Sequence, residues 1–151
     1  HVLLLGEIAR VLKPGGFVYL ATKNRYALRC LTGGRDEHFD GMRFGSALPR
    51  WLAGLLHGTK RPPGHLHSYS ELRGMLGDAG FERIEGYWAV PEMRWPKQMI
   101  ALDQALGPKR AKLQFDEGEN PRTTASMGLI PSSLVKHFTP GLSFLARRSG
   151  A

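Results

Sequence analysis

Two carboxylates and an imidazole stand together at Asp36-Glu37-His38, inside a polar, glycine-rich stretch that predicts a loop. A histidine titrates near neutral pH, so it can take up a proton, and an adjacent acid can orient its ring. These residues are therefore candidates for general base catalysis, with His38 as the base. A solvated polar loop is the alternative interpretation of the same residues.

The other residues that could do chemistry are a histidine pair and a cysteine. His65-x-His67 offers two metal ligands, but no third ligand stands at a credible spacing, so we predict no metal site. Cys30 is the one cysteine and cannot form an internal disulfide, so we expect a buried thiol in a reducing, cytoplasmic environment. No serine nucleophile elbow or phosphate-binding Gly-Lys-Ser/Thr motif occurs, which disfavours covalent catalysis and nucleotide hydrolysis.

Composition sets the class of protein and limits its partners. The 151 residues are 42% hydrophobic, which suffices for the core of one soluble domain. The formal net charge is +8, from 21 Lys and Arg against 13 Asp and Glu, but the basic residues are scattered. We therefore expect no specific nucleic-acid partner. No apolar run approaches the roughly 18 residues of a membrane span.

The elements that must position these residues begin with a helix and a strand. Apolar residues at helical spacing predict an amphipathic helix that ends at Lys13-Pro14-Gly15-Gly16. The stripe comprises Leu4, Ile8, Val11 and Leu12. The continuous apolar run at residues 17–21 predicts a strand covered on both faces, as in parallel sheets flanked by helices. Asn24 follows at its carboxyl end, where an open α/β sheet binds its ligand.

Further along the chain, four helices and two strands are predicted. Ser68 and Glu71 have the spacing of a capping box and open a helix that ends at Gly80, before a half-buried strand at residues 84–90. An earlier helix carries the stripe Leu48, Trp51, Leu52, Leu55 and Leu56. Pro96 predicts a helix with Met99, Leu102 and Leu106 inward, and Pro131 a short helix before a last strand at residues 142–146.

Three motifs in this order resemble class I S-adenosylmethionine-dependent methyltransferases. The run LLGEIARVLKPGG at residues 4–16 resembles the family pattern L-x-E-x-x-R-V-L-K-P-G-G, which joins the helix after strand four to strand five. Glu71-Leu72 with Ala79-Gly80-Phe81 is similar to the helix that leads into strand six. The run SFLAR at residues 143–147 is similar to strand seven, which is antiparallel in this family.

The resemblance implies an α/β fold, the C-terminal half of a Rossmann-like doubly wound sheet with helical insertions. The family's glycine-rich loop, D/E-x-G-x-G-x-G, and the acid after strand two do not occur, and no strand precedes Gly33-Gly34. Residues 1–151 would then be the C-terminal part of a single methyltransferase domain, without its cofactor-binding half and inactive alone. The implied cofactor is S-adenosylmethionine.

The resemblance also suggests site residues and an acceptor. Asn24-Arg25-Tyr26 and Asp36-Glu37-His38 resemble the segments after strand five in bacterial methyltransferases of surface-polysaccharide biosynthesis. A small-molecule or glycan acceptor would contact Asn24, Arg25, Tyr26, Asp36 and Glu37, with Tyr69 covering the pocket. His38 and Asn24 are the candidate catalytic residues, and His1 matches the family's histidine beside the transferred methyl group.

Three alternatives remain open on the sequence. The net charge of +8 would suit a nucleic-acid-binding or RNA-modifying protein. Fold alone would also suit another doubly wound enzyme, such as a nucleotide-dependent oxidoreductase. A non-enzymatic half-domain that associates with a partner is the third. In a half-domain, the strand at residues 17–21 would have an unpaired edge, which favours self-association.

Overall fold

The computed structural model describes residues 2–34, 43–57, 65–90, 93–103, 127 and 129–150. The helices in these ranges are α1 (Val2–Val11), α2 (Leu28–Leu31), α3 (Arg50–His57), α4 (Tyr69–Asp78) and α5 (Val135–Phe138). The strands are β1 (Phe17–Lys23), β2 (Phe81–Val90), β3 (Gln98–Ala101) and β4 (Gly141–Arg148). The predicted α/β class is therefore confirmed.

The described strands form one sheet in the order β1-β4-β2-β3, and all neighbouring pairs are antiparallel. The last strand, β4, lies between β1 and β2 and pairs with β1 from Phe17 opposite Arg147 to Lys23 opposite Gly141. The predicted antiparallel last strand is thus present. Because β1 and β2 are both antiparallel to β4, they run in the same direction, and their carboxyl ends lie at the same end of the sheet.

Local signals explain why α4 begins and ends where it does. Ser68 accepts a hydrogen bond from the Glu71 amide at 3.3 Å, and the Glu71 carboxylate accepts one from the Ser68 amide at 2.7 Å. This is the capping box that the sequence predicts. Gly80 follows the helix with a φ of +86°, a conformation that glycine adopts without strain and that turns the chain into β2.

The core lies between α4 and the sheet. Leu72 and Leu76 on α4 pack with buried residues of the two central strands and of the adjoining segments. Those partners include Phe81, Trp88, Val90, Leu142, Phe144 and Val135. Cys30 is also buried, as predicted.

Two predictions about α1 and β1 need correction. Leu5 and Ile8 of α1, with Leu12 just after the helix, pack on the core. The predicted stripe is therefore rotated, and Leu4 and Val11 are exposed. Strand β1 alternates between exposed and half-buried residues, with Phe17 60% and Tyr19 49% exposed. Within the described residues it is covered on one face, because α1 and the core lie on a single side.

The helix predicted from Pro96 is wrong. Residues Gln98–Ala101 form β3, which pairs with β2 so that Ile100 lies opposite Trp88. On the side of β2 away from β4, backbone N–H and C=O groups need partners. Residues Gln98–Ala101 supply them and satisfy their own backbone groups in the same way. Of the three residues predicted to point inward, Leu102 is buried, Met99 is exposed and Leu106 lies outside the described residues.

Candidate functional site

Three segments meet at the carboxyl end of β1. The Asn24 amide donates to the Pro140 carbonyl at 3.2 Å, and the Arg25 amide donates to the His67 carbonyl at 3.0 Å. Asn24 and His67 form an isolated parallel bridge. The polar end of β1 is therefore held between the segment before α4 and the segment before β4.

Asn24 is buried at this junction, with 1% of its surface exposed. Its side-chain amide donates to the carbonyls of His137 and Thr139, both at 2.9 Å, and its carbonyl accepts from the Tyr26 amide at 3.1 Å. A carboxamide has two N–H donors, and both are engaged. The geometry gives Asn24 a positioning role, which fixes the end of β1 against the chain that enters β4.

Arg25 connects a loop to the first turn of α4. Its guanidinium donates to the carbonyls of Ser46 at 3.2 Å and Leu48 at 3.4 Å, and it lies 3.5 Å from the Glu71 carboxylate. The group also lies 5.4 Å above the ring of Tyr26, within cation–π range. Arg25 and Tyr26, both predicted acceptor contacts, therefore lie together beside Asn24.

Tyr69 lies in the wall of an open cavity of about 570 Å³. Its hydroxyl donates to Asp103 at 2.6 Å, and its ring contacts Gly86, where a Cβ atom would come within 2.6 Å of the ring. A strand glycine with this close approach is needed for packing. Burial, together with the hydrogen bond to Asp103, raises the pKa of the Tyr69 hydroxyl. Tyr69 thus stays protonated and acts as a donor.

Asp103 is the acidic partner of three residues that line this cavity, Tyr69, Arg73 and Lys136. Arg73 donates to its carboxylate at 3.0 Å, and the Lys136 ammonium lies 3.7 Å away. Burial alone would raise the pKa of Asp103, but the Tyr69 hydrogen bond and the charges of Arg73 and Lys136 hold it below its ordinary value. Sequence reasoning missed Asp103, because it assigned the preceding residues to a helix rather than to β3.

His137 connects the cavity to the end of β1. Its backbone carbonyl accepts the Asn24 amide, and its ring lies 6.0 Å from the ring of Tyr69. It lines the cavity with Arg73 and Lys136. The end of β1 and the cavity wall are therefore two parts of one region.

His65, His67 and Glu71 form a second cluster at the start of α4. The two histidine rings pack edge to face with centroids 4.6 Å apart, and one ligand atom from each of the three residues lies within 4.8 Å of the others. Burial first, and then the neighbouring His65, lowers the pKa of His67. Burial would raise the pKa of Glu71, but its hydrogen bonds with Ser68 lower it overall. The structure thus places a third potential ligand beside the histidine pair, which the sequence did not reveal.

The capping box was the signal that could have located this ligand. It places Glu71 on the first turn of α4, three residues after Ser68, while His67 immediately precedes Ser68. Because residues three or four positions apart lie on the same face of a helix, the Glu71 carboxylate then lies near the histidine pair.

Several predicted site residues lie outside the described residues. They are His1, Asp36, Glu37 and His38. Their predicted roles in base catalysis, acceptor binding and cofactor contact stay predictions.

The chain was compared with models of known protein families, with curated proteins and with solved structures, and none of them matched. The methyltransferase resemblance therefore depends on the sequence motifs alone.

In the part of the chain that the structure describes, no helix has the length and apolar character that crossing a membrane requires.

Proposed function

We propose that this protein takes part in S-adenosylmethionine-dependent methyl transfer to a small-molecule or glycan acceptor, as the C-terminal part of a class I methyltransferase. The observation that carries the proposal is the arrangement of the last strand. β4 lies antiparallel between β1 and β2, which point the same way, and the resemblance requires an antiparallel strand seven. The helix–Pro-Gly-Gly–strand motif and the capped α4 lie at the matching points of the chain.

The cofactor supplies an electrophilic methyl group in this chemistry, and the described residues do not fit its adenosine part. No described strand is followed by a glycine-rich turn and a helix, and Gly33 follows helix α2 instead of a strand. We therefore assign to this chain the acceptor side of the site.

On the acceptor side, the chain's residues have two tasks. His38 takes the proton that an acceptor hydroxyl or amine loses as it is methylated, with Asp36 or Glu37 orienting the ring. Asn24 keeps the end of β1 in place through the carbonyls of His137 and Thr139. Arg25 and Tyr26, which follow on the same segment, are then the candidates for acceptor contact.

The first experiment is to read the coding sequence ahead of His1. The proposal expects a strand ending in Gly-x-Gly-x-Gly, with an acidic residue further on. A Gly-x-Gly-x-x-Gly turn would instead favour the nucleotide-dependent oxidoreductase. Titration calorimetry with the 151-residue chain is the companion test. The proposal expects no saturable S-adenosylmethionine binding, and micromolar binding would contradict the assignment of this chain to the acceptor side.

The kinetic test uses the full-length protein with a labelled methyl donor and a panel of small-molecule and glycan acceptors. His38→Ala should lower kcat by about 10²–10⁴-fold and leave cofactor affinity unchanged, because a general base acts on the acceptor. Rates within about threefold of the parent enzyme would exclude His38 as the base.

A further inference from the structure

We propose that His65, His67 and Glu71 form a binding site for a divalent transition-metal ion such as Zn²⁺. The three side chains come from one short segment, and their ligand atoms lie within 4.8 Å of one another. The proposal rests on this geometry alone and holds whether or not the protein transfers methyl groups.

The ligand types select the class of metal. Two imidazole nitrogens and one carboxylate oxygen suit Zn²⁺ and Co²⁺, whereas Mg²⁺ and Ca²⁺ prefer oxygen ligands throughout. Three protein ligands leave a coordination position for a water molecule or another oxygen ligand, as in sites with two histidines and a glutamate.

The distances require only a small adjustment. For three atoms no more than 4.8 Å apart, one point lies within about 2.8 Å of all of them. Zinc–nitrogen and zinc–oxygen bonds are about 2.0–2.2 Å long, so each ligand atom has to move inward by about 0.7 Å. Rotation of partly exposed side chains covers such a shift without moving the backbone.

The backbone around the cluster is already fixed. The His67 carbonyl accepts the Arg25 amide at 3.0 Å, and one Glu71 oxygen, Oε2, accepts the Ser68 amide at 2.7 Å. A metal bound through the other oxygen, Oε1, would leave the cap of α4 in place. Ligands on a fixed backbone lose little conformational entropy when they bind an ion.

Arg25 is the group that opposes a cation here. Its guanidinium lies 3.5 Å from Oε1 of Glu71, a long contact, while its other donors hold the carbonyls of Ser46 and Leu48. Arg25 can keep those two bonds when Oε1 turns to the metal. Its positive charge nevertheless lowers the affinity, so we expect micromolar rather than nanomolar binding.

The test is calorimetric titration of the untagged 151-residue chain with Zn²⁺, supported by the visible absorption of Co²⁺ in a tetrahedral site. We expect one ion per chain with a Kd in the micromolar range. His65→Ala and His67→Ala should each weaken binding by at least about tenfold, because each removes a ligand. His137→Ala is the matched control, since His137 lies outside the cluster, and it should bind as tightly as the parent chain.

Glu71→Gln separates metal binding from folding. A glutamine at this helix position still completes a capping box, so the melting temperature should change little while Zn²⁺ affinity falls. Absence of Zn²⁺ binding below about 100 µM would overturn the proposal. Equal affinities for His65→Ala and His137→Ala would also overturn it, because the bound ion would then lie elsewhere, for example at His1 and its terminal amine.

Discussion

Replacement of Asn24 by alanine is the most direct test of the junction at the end of β1. The substitution removes two donors, which serve the carbonyls of His137 and Thr139 at 2.9 Å, and one acceptor for the Tyr26 amide at 3.1 Å. All of these bonds are made by a side chain that is 1% exposed. Water therefore cannot readily replace them.

The expected cost follows from these three bonds. Each intramolecular hydrogen bond contributes about 0.5–1.5 kcal/mol net, so their loss should lower the free energy of unfolding by about 2–4 kcal/mol. At roughly 3 °C per kcal/mol for a chain of this size, the melting temperature should fall by about 6–12 °C. Asn24→Asp should cost more at neutral pH, because it places a buried carboxylate against two carbonyl oxygens.

The assay is urea and thermal unfolding of the 151-residue chain, followed by circular dichroism. Gln98→Ala is the control, since Gln98 is an exposed amide in β3, and its effect should stay within about 0.5 kcal/mol. A loss of less than about 0.5 kcal/mol for Asn24→Ala would refute the positioning role. The carbonyls of His137 and Thr139 would then have other partners, and Asn24 could act on the acceptor instead.

Three further predictions concern Tyr69, its partner Asp103 and the sheet edge at β1. Tyr69→Phe removes the hydrogen bond to Asp103 and should lower the free energy of unfolding, measured with urea, by about 1–2 kcal/mol. Tyr87→Phe is the control: the Tyr87 hydroxyl bonds the exposed Glu85, so its loss should lower that free energy by less than about 0.5 kcal/mol. The folded pKa of Asp103 lies below its ordinary value of 3.8, so its carboxylate stabilises the fold above that pH. This contribution is lost as pH falls through the folded pKa. In thermal melts from pH 7 to pH 2, the melting temperature of Asp103→Asn should therefore fall less than that of the parent chain. β1 pairs on one side with β4 and exposes Phe17, so we expect self-association that increases with concentration in light scattering. Phe17→Lys should reduce it. A monodisperse parent chain at high concentration would contradict this prediction.

The elements that the sequence predicted well are those with short-range causes. The Pro-Gly-Gly turn before β1, the capping box of α4 and the turn at Gly80 each depend on residues within four positions of one another. The apolar alternation in β2 and the apolar run of β4 are likewise visible locally. These elements formed where they were expected.

The errors arose where long-range contacts decide the outcome. Residues Gln98–Ala101 are a strand because the edge of β2 is open beside them, and no residue near Pro96 signals that edge. The prediction that β1 is covered on both faces failed for the same reason, because a continuous apolar run does not show whether helices cover one face of the strand or both. Asp103 could not be placed for this reason either, because β3 brings it to Tyr69.

The segment from His65 to Glu71 shows why fold and site are hard to separate in this protein. Its histidines lie beside the end of β1 because the His67 carbonyl pairs with the Arg25 amide, and its glutamate lies near them because it caps α4. The capping bond uses one Glu71 oxygen, Oε2, while the other oxygen, Oε1, faces the Arg25 guanidinium. Glu71 therefore stabilises the helix start through Oε2, and in the proposed metal site it would bind the ion through Oε1. The capping-box pattern, which usually indicates only the start of a helix, here also determines the position of the proposed third metal ligand.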